Sequence, residues 1–119
     1  MAENIAVILT KPPYGTEEAF AGMREALALL VSGLMARSVV MMVGEGTMNA
    51  LATQEPKALS MPSNMEAVED LIALDGEVYV ISEDIEALVP DPHLIEGVQR
   101  IDWSRAREIL AEMDLVNTF

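Results

Sequence analysis

Cysteine is absent from this chain of 119 residues. That excludes disulfides, thiolate metal sites, iron–sulfur clusters and any thiol nucleophile of its own. A single histidine excludes a histidine-based metal cluster, and no cofactor is expected. Basic residues are scarce: seven Lys and Arg stand against 20 Asp and Glu, a net charge of −13. Such a field repels a phosphate backbone and an anionic membrane surface, so neither nucleic acid nor a membrane is an expected partner. Long apolar runs are missing too, being interrupted at Arg37, Ser38 and Gly44 before the roughly 18 residues that a spanning helix needs. The segment Met1-Ala2-Glu3-Asn4 is not basic, so no secretory leader is expected and the cytoplasm is the expected location.

Hydrophobic residues nevertheless make up 51% of the chain, which is incompatible with disorder despite the high charge. The length suits one domain with one core. Aromatics are only 4%, and nine Met share the filling of the interior. An apolar content this high in a small domain points to a homo-oligomer with aliphatic contacts.

The hydrophobic pattern alternates between strand-length and helix-length periods. Ile5–Leu9 is a continuous apolar run of the kind buried on both faces of a parallel sheet. Lys11-Pro12-Pro13-Tyr14-Gly15 breaks it, and Thr16 can cap a helix whose stripe is Phe20, Met23, Leu27, Leu30, Val31 and Leu34. Val39–Val43 reads as a second strand. A short helix over Thr47–Thr53 follows, then a loop from Glu55 to Pro62. Ser63 and Glu66 form a capping-box pattern ahead of the apolar face Met65, Val68, Leu71 and Ile72, and Asp75-Gly76 stops that helix. Glu77–Ile81 is a third strand, and Ser82 is placed to cap a short acidic helix to Leu88. After a loop marked by Pro90 and Pro92 come a short strand, Val98–Ile101, and a helix capped by Asp102 with the face Trp103, Ala106, Leu110 and Met113. Leu115–Phe119 is the last strand. Strands alternating with helices make the class α/β, with a mainly parallel five-stranded sheet whose first three strands lie inside.

Several residues at the carboxyl ends of these strands can meet a ligand. Gly44-x-Gly46-x-x-Asn49 follows a strand and opens a helix. It is an incomplete dinucleotide fingerprint, since Asn49 stands where the third glycine belongs, and a tight strand-to-helix turn is the plainer reading. Lys11, Pro13, Tyr14, Gly15 and Thr16 form a stiff loop that either presents Lys11 and Tyr14 to a ligand or partner, or simply connects two elements. Ser82 lies where a nucleophile would, but His93 is the only imidazole in the chain and no Gly-x-Ser-x-Gly elbow surrounds it. Glu83, Asp84 and Glu86 read as a solvated acidic face rather than a cation loop. Arg100, Arg105 and Arg107 read as an ion-pair face, with Arg105 and Glu108 at helical spacing.

These pieces resemble the DsrE/DsrF/TusC sulfur-relay proteins, and the DsrF/TusC branch in particular. The Lys11–Thr16 loop carries the most specific part of the likeness. Glu45–Leu51, Val78–Leu88 and the closing Asp114–Phe119 segment extend it over nearly the whole chain. The resemblance implies a three-layer α/β/α domain, DsrE/DsrF-like, in trimers or hexamers that often mix subunit types. It also implies Cys-bearing DsrE/TusD-like subunits as partners, with a persulfide-forming Cys just after the third strand, near the position of Ser82 here. The expected role is therefore a non-catalytic docking or structural subunit. A stand-alone domain that binds a nucleotide or anion at the crevice around Lys11, Tyr14, Gly44 and Ser82 is the alternative.

Overall fold

The computed structural model describes residues 2–13, 17–52 and 64–119. Its order is β1 (Asn4–Leu9), α1 (Glu18–Val31), β2 (Arg37–Met42), a 3₁₀ helix (Gly44–Ala50), α2 (Asn64–Ala73), β3 (Glu77–Ile81), α3 (Ser82–Leu88), β4 (Gln99–Ile101), α4 (Trp103–Ala111) and β5 (Leu115–Thr118). The strands form one sheet in the order β4-β3-β2-β1-β5, and every pairing is parallel. The first three strands are interior, as their unbroken apolar runs require.

This order fixes where the helices lie. The connections from β1 to β2, β2 to β3 and β3 to β4 all step the same way across the sheet, so right-handed crossovers put them on one face. The return from β4 to β5 runs the other way and carries α4 to the opposite face. The two cores follow the two-residue period of the strands. Val7, Leu9, Val40, Met42, Val78 and Val80 pack with Met23, Ala26, Val68, Leu71 and Ile85 on one side. Ala6, Val39, Met41, Tyr79 and Ile81 pack with Ala106 and Ile109 of α4 on the other.

Helix α1 corrects the expected stripe. Its buried residues are Ala19, Gly22, Met23 and Ala26, a small-residue face that lets the helix approach the sheet closely. A Cβ on Gly22 would run into Leu9 and the Phe119 ring. The larger Leu27 and Leu30 straddle this face and are partly buried, while Val31 and Leu34 are 65% and 70% exposed. Leu34 lies past the helix end, beyond Gly33 at φ 76°. The expected Thr16 cap lies outside the described residues.

Other boundaries also moved. The short helix after β2 is 3₁₀ and begins at Gly44, whose φ of 53° makes the turn, and Thr47 Oγ1 donates to the Gly44 carbonyl at 2.7 Å. Ser63, the first half of the capping box, and the loop from Glu55 to Pro62 lie outside the described residues. At the end of α2 it is Asp75, not Gly76, that takes the left-handed conformation (φ 68°); aspartate tolerates that region. Ser82 does not cap α3. It is the first helical residue, because β3 runs straight into the helix, and its Oγ donates to Glu86 Oε1 at 3.2 Å. Asp102 caps α4 as expected, accepting from Arg105 N–H at 2.8 Å. Ile109, absent from the expected face, is buried there, whereas Trp103 is 36% exposed.

The amino ends of the strands are bolted by one arginine. Arg37 at the start of β2 donates from Nε and Nη2 to Glu77 at the start of β3 (2.6 and 2.9 Å). Its Nη1 donates to Glu112 beyond α4 at 2.6 Å. The guanidinium hydrogen bonds hold the Glu77 carboxyl below its ordinary range and hold the Arg37 charge more firmly still. Tyr79 donates its hydroxyl to Glu77 Oε1 at 2.6 Å; burial, and then this bond, push its own titration upward.

Candidate functional site

The carboxyl ends of β1, β2 and β3 gather most of the residues singled out from the sequence. Asn49 organises them. It is fully buried, and its Nδ2 donates to the carbonyls of Lys11 and Gly46, each at 2.9 Å. Its Oδ1 accepts from Asn64 Nδ2 at 2.6 Å, which ties the first residue of α2 into the same joint. With both Asn49 donors committed to carbonyls, the orientation of both amides is fixed. Asn64 Oδ1 is then left buried without a donor among the described residues.

Gly46 shows why the turn is so tight. A Cβ there would overlap the Leu9 carbonyl, so only glycine allows the 3₁₀ helix to lie against the end of β1. Val43 N–H donates to that same Leu9 carbonyl at 3.0 Å, and Gly46 N–H to the Val43 carbonyl at 2.8 Å. Gly44 N–H is also taken: it donates to Asp84 Oδ2 at 2.8 Å, joining the start of the 3₁₀ helix to α3. The Asp84 carboxylate thus takes up the first N–H of the glycine-containing turn. Asp84 lies half-buried on the acidic helix face and also serves as a structural acceptor.

Ser82 is half-buried at the end of β3, and the Glu86 oxygen it donates to also receives Arg100 Nη1 at 3.3 Å. That carboxylate is committed to two donors, and no imidazole faces the hydroxyl. His93 is exposed in the loop before β4, where its carbonyl accepts from Ala52 N–H. Lys11 is exposed, Pro13 is buried, and Tyr14, Gly15 and Thr16 lie outside the described residues. Among the described residues no group of three or more His, Asp or Glu is placed to hold a metal ion.

The β1–β5 ladder continues past the ends of both strands. Thr10 N–H and Oγ1 both donate to the Phe119 carbonyl, at 2.8 and 2.6 Å. Beside it lies a surface depression of about 520 Å³ lined by Glu17, Glu18, Ala21 and Phe119. A second, of about 410 Å³, is lined by Glu69, Ile72, Ala73, Glu96 and Gly97. Among the described residues each is lined by two glutamates.

Residues 3–113 match the family model described as the DsrE/DsrF-like family. The chain belongs to the DsrE/DsrF-like family. It is 29% identical over 117 residues to the uncharacterized protein MJ0989 of Methanocaldococcus jannaschii, a match covering 98% of this chain and 99% of that one. The crystal structure of the ychN protein from E. coli superimposes with a TM-score of 0.86 at 21% identity, covering 98% of this chain and 99% of that one. This likeness establishes the DsrE-like fold. No helix among the described residues is long and apolar enough to cross a membrane.

The Asn49–Asn64 pair and the Asp84–Gly44 bond were not foreseen. Asn49 had a signal, as a polar residue displacing a glycine in a glycine-rich turn. Asn64 had none, because its partner is distant in sequence and polar pairing has no period.

Proposed function

We propose that this DsrE/DsrF-like chain is a non-catalytic subunit of the DsrF/TusC type, acting in an intracellular sulfur relay by docking or shaping a Cys-bearing partner. The carrying observation is the absence of any thiol from the chain, with Ser82 at the end of β3, near where the family resemblance puts the carrier. A persulfide is carried by a thiolate. A serine hydroxyl does not ionise near neutral pH and forms no stable sulfane adduct. The commitments of Ser82, Glu86 and Arg100 to one another support a structural reading of this corner. The Asp84 carboxylate on Gly44 N–H weighs against a nucleotide or anion site there. The chain self-associates when made alone, in keeping with its apolar content.

Purification from the native source, with associated subunits identified by mass, tests the reading. A Cys-bearing DsrE/TusD-like protein in stoichiometric amount supports it; a chain that purifies only with itself sinks the hetero-complex. Ser82→Cys tests the positional correspondence: the new thiol should take up sulfur from a persulfide donor, and a thiol that stays unlabelled in the folded protein refutes it.

A further inference from the structure

The two edge strands are held to the sheet in different ways. β4 is brief, and its Ile101 packs against the core that α4 covers. Arg100 ties it further to Glu86 and the Pro92 carbonyl. In β5, Leu115–Thr118, no side chain is buried and none belongs to either core. Leu115 is 43% exposed and Val116 46%. Apolar burial therefore does little to keep β5 in place.

A ladder with β1 and a set of polar clips hold it instead. Phe119 N–H donates to the Ile8 carbonyl and its own carbonyl accepts from Thr10, so the odd-numbered residues of this segment face β1. The N–H and C=O groups of Val116 and Thr118 therefore point away from the sheet. At one end the Asp114 carboxylate accepts from Glu3 and Asn4 N–H, at 2.8 and 3.0 Å. In the middle Asn117 Nδ2 donates to the Glu25 carboxylate of α1. At the other end the Phe119 ring packs beside Gly22 against the core under α1. Asp114 is exposed and Glu25 half-buried, so water can take over either bond when it breaks.

We propose that Asp114–Phe119 is a strap that opens from β1 as one unit while the rest of the sheet stays closed. Met113, packed against the α4 core, is its fixed end, and the Phe119 ring is the plug at the free end. Elements with few buried contacts and solvent-exposed hydrogen bonds open before the fold as a whole. Opening turns β1 from an interior strand into an edge, since β2 holds only its other side. That edge, Asn4–Leu9, has neither charge nor proline, the composition that pairs readily with another extended segment. The strap thus covers a pairing row already built into the fold, and its release bares Leu9 and Gly22 beside that row. The inference is independent of sulfur.

Amide hydrogen exchange of the full chain at pH 7 tests the strap. The N–H groups of Phe119 and Thr10 should exchange at a common rate, at least about 100-fold faster than Val43 N–H, which donates to the Leu9 carbonyl. Asp114→Ala, at the opposite end, should quicken Phe119 and Thr10 about tenfold and leave Val43 unchanged. Glu25→Ala removes a clip without altering the strap itself and should move the same two amides in the same direction. Phe119 and Thr10 exchanging as slowly as Val43 overturns the proposal. So does an Asp114→Ala effect confined to Glu3 and Asn4, because each clip then frays by itself and no unit exists. Should Asp114→Ala fail to fold, Glu25→Ala decides: an effect that stops at Asn117 overturns the strap, and one that reaches Phe119 and Thr10 supports it.

Discussion

At the carboxyl ends of β1, β2 and β3 the chain bonds most of its own polar groups, Asn64 Oδ1 excepted, whereas along β5 two residues direct their backbone groups outward. In the first region Asn49, Asn64, Asp84 and Thr10 each bond to a backbone or side-chain group of another element. In the second, Val116 and Thr118 direct their backbone groups outward from an uncharged strand. Among the described residues, the carboxyl ends of the strands form a hydrogen-bonded joint.

The comparison is broken most severely by filling the joint. Gly46→Ala sets a methyl group against the Leu9 carbonyl, which cannot swing aside as a flexible side chain would. A loss of about 3 kcal/mol or more is expected in urea unfolding, enough to unfold a marginal domain. A loss under about 0.5 kcal/mol would show that the joint is loose. Asn49→Ala should cost about 2 kcal/mol, because it strands the Lys11 and Gly46 carbonyls and Asn64 Nδ2 in the interior. A neutral result would mean that water replaces the amide and that the site is wetter than its burial implies.

The amino-end bolt gives a smaller, pH-dependent effect. The Arg37 guanidinium depresses Glu77, and the N–H groups of Glu3 and then Asn4 depress Asp114. A carboxyl whose folded value lies below its unfolded value, about 4, stabilises fully above that value. The contribution is lost as pH falls through the folded value. The urea midpoint should therefore drop between about pH 5 and pH 3. Arg37→Gln and Asp114→Asn should each flatten that limb, and parallel curves for either variant would remove its group from the account. Tyr79 has the opposite sign: its raised value keeps its contribution intact below about pH 10 and loses it as pH rises further. Smallest in stability is Val116→Lys, expected to change unfolding by less than about 0.5 kcal/mol, since the side chain is largely in solvent.

The sheet was legible in the sequence because buried parallel strands are continuous apolar runs and helices repeat at another period. Ile5–Leu9 and Glu77–Ile81 fall within β1 and β3 as the structure has them. The stripe on α1 is legible in part: Met23 is buried and Leu27 and Leu30 pack against the core, but the small residues of the buried face carry no signal of size. Ala19, Gly22 and Ala26 face the sheet since small side chains permit close packing, and Val31 and Leu34 extend past it. Ser82 was misplaced because a cap needs a residue between strand and helix, and none exists there. The joint at Asn49 could not be read because its hydrogen bonds link residues far apart in sequence, and neither composition nor period records such pairs. The open edge was half-visible: Leu115–Thr118 is uncharged on sight, but its place at the end of the sheet follows only from the reversed last crossover.

The claim that this chain works through contacts rather than chemistry is tested most directly by its mass in solution. Light scattering at micromolar concentration should give an oligomer for the unmodified chain, tightening with salt as the −13 charges are screened. A monomer for the unmodified chain at every salt concentration would contradict the account.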